Sequence, residues 1–219
     1  MVQLEVIVTT LAEARAAVAG GALSLEIIED LSVGGLTPPL EVVRAIRDAV
    51  TVDLNVMLRP HARSFVYTPQ DIEVIHQQAQ AIARIGVTSV VFGALTPDGD
   101  ADLALTRQVA AAAATGLTFH RALDETRAPA AALDSLQGIA TRILCSGGAA
   151  NIWDGRTTMR QWVRTFPQFT FACAGGVTLE NLPELVRVTQ AQQIHVGTAA
   201  RTNGTVDREK VRALVAALT

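Results

Sequence analysis

The chain has 219 residues, of which 49% are hydrophobic and 4% aromatic, and its 18 basic and 21 acidic side chains give a formal net charge of −3. This composition excludes a disordered chain and provides no basic surface for nucleic acid or anionic lipid, so we expect neither as a partner. Two cysteines are too few for a disulfide framework. We recognise no signal peptide and no membrane-spanning run, which predicts a cytoplasmic protein.

Short apolar runs alternate with longer segments of helical periodicity along the whole chain. The predicted strands are 4–8, 23–28, 52–58, 88–92, 117–120, 141–144, 168–173 and 193–196. The predicted helices are 11–18, 40–50, 71–85, 102–114, 129–136, 152–166, 179–189 and 206–218. We expect Asn151, Thr178 and Asp207 to cap the last three helices. Because no linker or change of composition divides residues 1–219, we expect one domain.

This alternation is typical of a (β/α)8 TIM barrel and also of an open, doubly wound sheet. Polar residues distinguish the two, because they occupy a single parity within strands that are otherwise apolar. These residues are Glu5, Glu26, Asn55, His120 and His195. In an open sheet covered by helices on both faces, both parities should be apolar, whereas one parity of a barrel faces the interior. The sequence therefore predicts an α/β protein with a single (β/α)8 TIM barrel.

The inward polar residues also predict a pocket at the carboxyl ends of the strands, where barrel enzymes keep their active sites. A buried carboxylate needs a partner, so we expect Glu5 and Glu26 to pair with nearby arginine or histidine side chains. The candidate partners are Arg59, Arg121, His120 and His195. We take Glu5, Glu26, Arg59, His120 and His195 as candidate catalytic residues. The same groups are also consistent with a structural network, or with a divalent metal site of unknown identity.

Glycine-bearing turns follow the late strands, at the positions where barrels often bind phosphate on backbone N–H groups. The candidate anion-binding residues are Gly147, Gly148, Gly175, Gly176, Gly197 and Thr198. Ordinary turn chemistry explains these glycines equally well. Cys145 and Cys173 end two neighbouring predicted strands, which would place them side by side near the barrel mouth. Most buried cysteines are simply small hydrophobic residues.

Several strings of residues resemble the CutC family, which is named for a proposed part in copper homeostasis and adopts a TIM barrel. The matching strings are LEVIV at Leu4, the turn at Gly20, Glu26, GGLTPPL at Gly34, VMLRP ending at Pro60, Phe65 with Tyr67, VVFGALTPDG at Val90, TFHRALD at Thr118, RILCSGG ending at Gly148, AGGVTLEN at Ala174, and His195. They extend almost from end to end of the chain. The resemblance implies a copper-binding protein with copper, or another divalent metal ion, as its cofactor.

The chain departs from the family at positions that matter for copper. Ile7 and Ile28 stand where relatives commonly have cysteine, and thiolates are the ligands that select Cu(I). The Asp-Arg pair usual in the second strand is absent, Asn55 replaces a common histidine, and residues 62–64 replace a Gly-Gly-Asp segment. The soft part of the family's site is therefore lost, while its acidic part is retained.

Three functions remain open, and whether the chain is an enzyme stays undecided. It could be a copper-homeostasis protein, as the resemblance implies. It could be a barrel enzyme that acts on a small metabolite, phosphorylated or not, through the acidic and histidine pocket. It could also be a non-catalytic binding or scaffold protein. In each case we expect a metal ion or a small molecule as the partner, and the sequence leaves a homo-oligomer open.

Overall fold

A computed structural model describes residues 2–218 and confirms the TIM barrel. Eight parallel strands close in chain order, so that β1 pairs with both β2 and β8. The strands are β1 Gln3–Val8, β2 Ser24–Ile27, β3 Asp53–Met57, β4 Ser89–Phe92, β5 Gly116–Phe119, β6 Arg142–Cys145, β7 Thr170–Cys173 and β8 Gln193–Val196. The helices are α1 Leu11–Ala19, α2 Leu40–Ala49, α3 Pro69–Ala83, α4 Leu103–Ala113, α5 Pro129–Ser135, α6 Ile152–Thr165, α7 Leu182–Thr189 and α8 Arg208–Ala216.

Four of the predicted helix starts differ from the structure, those of α3, α4, α7 and α8, and the last two differ for a visible structural reason. The helix α7 begins at Leu182, because Thr178 opens a turn in which its hydroxyl accepts a hydrogen bond from the Asn181 N–H at 3.3 Å. The prediction that Thr178 caps this helix is therefore wrong. The helix α8 begins at Arg208, because the preceding residues form a small antiparallel hairpin of β9 Arg201–Thr202 and β10 Thr205–Val206.

The predicted caps of the other two helices are confirmed. The Asn151 side chain accepts a hydrogen bond from the backbone N–H of Asp154, and the Asp207 side chain accepts one from the N–H of Glu209. Side-chain oxygens at these positions satisfy N–H groups that the first helical turn leaves free. Both predicted residues are thus the N-caps of their helices.

The apolar side chains form two separate clusters. The larger one lies between the strands and the surrounding helices. The smaller one takes the opposite strand parity and therefore lies inside the barrel, where it consists of Ile7, Ile28, Met57, Val91, Leu144, Ala172 and Ala174. Within residues 2–218, no helix combines the length and the apolar character that a membrane crossing needs.

Candidate functional site

A cavity of about 230 Å³ opens at the carboxyl ends of the barrel strands. Four of the five candidate catalytic residues line it, namely Glu26, Arg59, His120 and His195. The fifth, Glu5, lies deeper in the barrel and is fully buried. The strand parity that predicted the barrel thus also brings these side chains to one end of it.

Glu5 is surrounded by hydrogen-bond donors beneath the cavity. Its Oε2 accepts hydrogen bonds from Ser24 Oγ at 2.9 Å and Asn55 Nδ2 at 2.5 Å. Its Oε1 pairs with Arg142 Nη2 and lies 2.7 Å from His195 Nδ1. Burial alone would raise the pKa of Glu5, but Arg142 and His195 outweigh it and hold this pKa well below the usual range. Glu5 is therefore a buried carboxylate with all of its partners supplied by the barrel.

Arg142 is the partner that the sequence analysis missed. It begins β6 and points inward, with its Nε donating a hydrogen bond to Gln193 Oε1 at 2.5 Å. The available signal was the one that identified Glu5, namely an ionisable residue at the inward parity of a strand. Contrary to our expectation, the glutamates do not pair with Arg59 or His120. For Glu5 the cationic partner is Arg142 instead.

His195 connects the two buried carboxyl groups. Because Glu5 is held ionised, His195 Nδ1 donates to it, and the ring presents Nε2 to Glu26 Oε2 at 3.7 Å. Burial lowers the pKa of His195, but the negative charges of Glu26 and Glu5 more than compensate, and the net direction is upward. Glu5 therefore orients the imidazole, whose other nitrogen faces Glu26 at the cavity.

Glu26 has the environment of an acid–base group. Its Oε1 is buried without a hydrogen-bond partner among the described residues. Burial raises its pKa to about 7, with the charge of His195 opposing that shift and the charge of Glu5 adding to it. A carboxyl group that titrates near neutral pH can both accept and return a proton under ordinary conditions.

His120 remains neutral and offers a hydrogen-bond donor. Its Nδ1 accepts a hydrogen bond from the Ala122 N–H at 3.2 Å, which places the proton of a neutral ring on Nε2. Burial, together with the charges of Arg59 and Arg121, lowers the pKa of His120 to about 3. The Nε2 atom is buried without a partner among residues 2–218. His120 can therefore donate to a ligand oxygen but does not take up a proton at neutral pH.

The Arg59 guanidinium is hydrogen-bonded through Nη1, whereas its Nε has no partner among the described residues. Its Nη1 donates hydrogen bonds to the carbonyl oxygens of Val33 at 2.9 Å and Gly35 at 3.4 Å. Its guanidinium lies 4.7 Å from the centre of the Phe65 ring, which in turn packs against His120. The buried Nε has no hydrogen-bond partner among the described residues. Arg59 thus presents an unused donor in the cavity wall.

The glycine turns divide into two groups. Gly175, Gly176, Gly197 and Thr198 line the cavity. Gly147 and Gly148 do not, because the turn after β6 is closed by the carboxylate of Asp124, which accepts hydrogen bonds from the backbone N–H of Ser146 at 2.9 Å and of Gly148 at 2.9 Å. The Asp124 carboxylate therefore already accepts hydrogen bonds from backbone N–H groups that we expected to bind an external anion.

The two cysteines lie side by side, as the sequence predicts, but they do not face the mouth. Cys145 and Cys173 are register partners on β6 and β7, and both pack into the apolar layer between strands and helices. Burial raises the pKa of both thiols, that of Cys173 to about 12. Both cysteines end their strands, as predicted, but their side chains point away from the interior because Leu144 and Ala172 take the inward parity of β6 and β7.

The residues present do not fit a resident copper ion. Oxygen and nitrogen donors of Glu5, Glu26 and His195 lie within 4.8 Å of one another. Both Glu5 oxygens are already bonded, however, and a cation there would have to displace Arg142. Among the described residues that line the cavity, Met57 is the one that contains sulfur, as a thioether. The cavity therefore offers no thiolate to select Cu(I).

Comparisons with known proteins identify the family. The model of the CutC family matches residues 2–201. A CutC family protein of Xylella fastidiosa is 33% identical over 97% of this chain and 87% of its own length. A CutC family protein of Xanthomonas campestris is 35% identical over 88% of this chain and 81% of its own length.

Solved structures show the same fold. The CutC protein of Streptococcus agalactiae, named for copper homeostasis, matches with a TM-score of 0.85 and 24% identity, over 90% of this chain and 99% of that one. Phosphoribosyl anthranilate isomerase of Thermotoga maritima matches with a TM-score of 0.67 and 14% identity, over 100% of this chain and 98% of that one. At these identities the likeness is one of fold.

Proposed function

The chain belongs to the CutC family, and we propose that it is an enzyme that catalyses proton transfer on a small anionic metabolite bound in the barrel cavity. The observation that carries the proposal is a group of three buried polar atoms without partners around one cavity, namely Glu26 Oε1, Arg59 Nε and His120 Nε2. Buried polar groups are nearly always hydrogen-bonded, so such a concentration indicates a ligand that supplies the missing partners.

The three atoms have complementary roles toward an oxygen-bearing ligand. Arg59 Nε and His120 Nε2 are donors, which suit an oxygen that carries or develops negative charge. Glu26 Oε1 suits a proton that leaves the ligand or returns to it. The turns at Gly175 and Gly197, together with Gly176 and Thr198, would hold the anionic part of the same ligand at the rim.

Glu26 and His195 would divide the proton transfer between them. The Glu26 carboxylate accepts a proton from the substrate, and His195 donates its Nε2 proton to a substrate oxygen, so that charge is conserved within the pocket. Glu5 does not touch the ligand in this scheme. It is a positioning residue that orients His195 through Nδ1. Returning the two protons restores the starting state.

The copper function suggested by the family name rests on weaker physical support. Isoleucine occupies positions 7 and 28, and both cysteines face the helix layer, so the pocket has no thiol. A scaffold function would leave the three unpartnered atoms around the cavity without an explanation. The pocket therefore favours chemistry on an organic ligand over either alternative.

The test combines ligand discovery with isotope exchange. A thermal-shift panel of small phosphorylated and carboxylated metabolites identifies ligands, and each is incubated with the protein in deuterated water and analysed by mass spectrometry. We expect deuterium incorporation by the parent protein and a loss of about 10²–10⁴-fold in Glu26→Gln, the usual size of a general acid–base contribution. Arg187→Gln, which changes an exposed side chain of α7, is the matched control. Equal incorporation by the parent and Glu26→Gln would refute the proposal.

A further inference from the structure

We propose that Arg121 binds the anionic group of the substrate, the phosphate of a small phosphorylated molecule, and that Asp124 positions Arg121 for this role. The inference deepens the proposed function, since it names the class of substrate for the same cavity. It rests on the contacts of Arg121, on the carboxylate that closes the neighbouring turn, and on the charge balance of the cavity wall.

Arg121 is held in place at the edge of the cavity. It follows His120 directly at the end of β5 and lines the cavity. Its Nε donates to Asp124 Oδ2 at 3.1 Å, and its Nη2 donates to Ser146 Oγ at 3.2 Å and to the Ala150 carbonyl oxygen at 3.1 Å. The structure gives its Nη1 no hydrogen bond within residues 2–218. A guanidinium fixed by two of its nitrogens keeps the third for a ligand.

Asp124 determines where an anion can bind. Its carboxylate accepts hydrogen bonds from the backbone N–H groups of Ser146 and Gly148, and its side chain is only 6% exposed. An external anion is therefore excluded from the turn after β6. The same carboxylate holds Arg121 through Nε, so one group both closes that turn and orients the cation toward the turn after β7.

The Arg121 guanidinium lies beside Gly175 in the turn after β7. A Cβ atom added at this position would come within 3.4 Å of Cζ and Nη1 of Arg121. Its φ of +92° also lies in the region that L residues rarely adopt. The positive φ accounts for glycine at this position, and the Arg121 guanidinium lies at van der Waals distance from a turn whose residues line the cavity.

The charges of the cavity wall favour a phosphate group. Arg59 and Arg121 both line the cavity, and the charges of both act on the His120 between them. Glu26 is the single acidic residue among the described residues that line it. Two guanidinium groups match a phosphate dianion better than a neutral group, because charge-assisted bonds to Arg are strong and directional.

The experiment is calorimetric titration with inorganic phosphate, sulfate and acetate at neutral pH. We expect the parent protein to bind phosphate more tightly than acetate. Arg121→Gln should weaken phosphate binding about tenfold or more, which is the effect of losing a charge-assisted hydrogen bond. Arg121→Lys should bind phosphate less tightly than the parent but more tightly than Arg121→Gln, because lysine keeps the charge but lacks the planar set of N–H donors that Asp124 orients. Asp124→Asn should weaken binding several-fold, and Arg187→Gln should leave it unchanged.

Each outcome decides the inference. If the parent gives no heat with millimolar phosphate, or if Arg121→Gln binds phosphate as the parent does, the inference is overturned. Preference for acetate over phosphate would overturn the choice of substrate class. Thermal melts of each variant exclude misfolding as the cause of a lost signal. Glu26→Gln separates this inference from the proposed function, because it should lose isotope exchange while it still binds phosphate.

Discussion

The Nδ1 atom of His195 lies 2.7 Å from Oε1 of Glu5 on the neighbouring strand, so that a fully buried carboxylate fixes the orientation of an imidazole at the cavity. The register of β1 and β8 makes these two residues direct neighbours. The arrangement sets which nitrogen of His195 reaches the cavity. The rest of the site can be understood from this pair and from the arginine that supports it.

Removing Arg142 should strongly destabilise the fold. Its substitution by glutamine would leave the Glu5 carboxylate buried without its cationic partner, and breaking a buried ion pair in this way costs about 3–5 kcal/mol. Urea unfolding measures the change in the free energy of unfolding. Arg187→Gln, which breaks an exposed ion pair with Glu184, should change this free energy little, because solvent screens exposed charges. Similar losses in the two variants would contradict the buried role of Arg142.

Stability should fall as pH rises through neutrality. The pKa of Glu26, raised by burial from 4.5 to about 7, means that the folded protein holds this proton more tightly than the unfolded chain. The contribution of Glu26 to the free energy of unfolding is complete below its pKa in the unfolded chain and is lost as pH rises through its pKa in the folded protein. His195, whose pKa is raised from 6.5 by Glu26 and Glu5 despite its burial, acts in the same direction.

The measurement is the free energy of unfolding between about pH 5 and about pH 8, in the parent and in Glu26→Gln. We expect the parent to lose on the order of 1–3 kcal/mol over this range. The variant should lose less, because the amide does not titrate. An equal slope in both proteins would show that Glu26 does not titrate near neutrality.

The strand parity of polar residues predicted both the barrel and most of the site, because burial confines ionisable residues to the inward positions. The same rule applied to Arg142 would have found the partner of Glu5, but that residue opens its strand, where polar residues are common. The role of Asp124 was beyond sequence reasoning, because its partners lie 22 and 24 residues further along the chain. The inward parity of β6 likewise had to be seen before the cysteines could be placed.

Copper binding should be weak. The pocket contains no thiol, and Ile7 and Ile28 cannot ligate a metal. We expect a Cu(I) chelator to outcompete the protein, and we expect Cys145→Ser and Cys173→Ser to leave the competition unchanged. Affinity in the sub-picomolar range, or a copper ion found beside Ile7 and Ile28, would contradict the account.

The two thiols should be unreactive in the folded protein. Cys145 and Cys173 are fully buried, and burial raises the pKa of both, which suppresses the reactive thiolate. An aromatic disulfide reagent should label neither cysteine under native conditions and should label both in denaturant. Rapid native labelling of either cysteine would place its sulfur outside the helix layer.

The most direct test of the acid–base account is an NMR titration of the protein with ¹³C-labelled glutamate carboxyl groups and ¹⁵N-labelled histidine rings. We predict that the Glu26 carboxyl carbon titrates near pH 7, in keeping with the burial that raises its pKa, and that the His195 ring stays protonated above its ordinary range. In Glu5→Gln the His195 titration should move to lower pH, because the carboxylate that stabilises the charged ring is gone. A Glu26 carboxyl that titrated near the ordinary 4.5, with His195 unaffected by the change at position 5, would contradict the account.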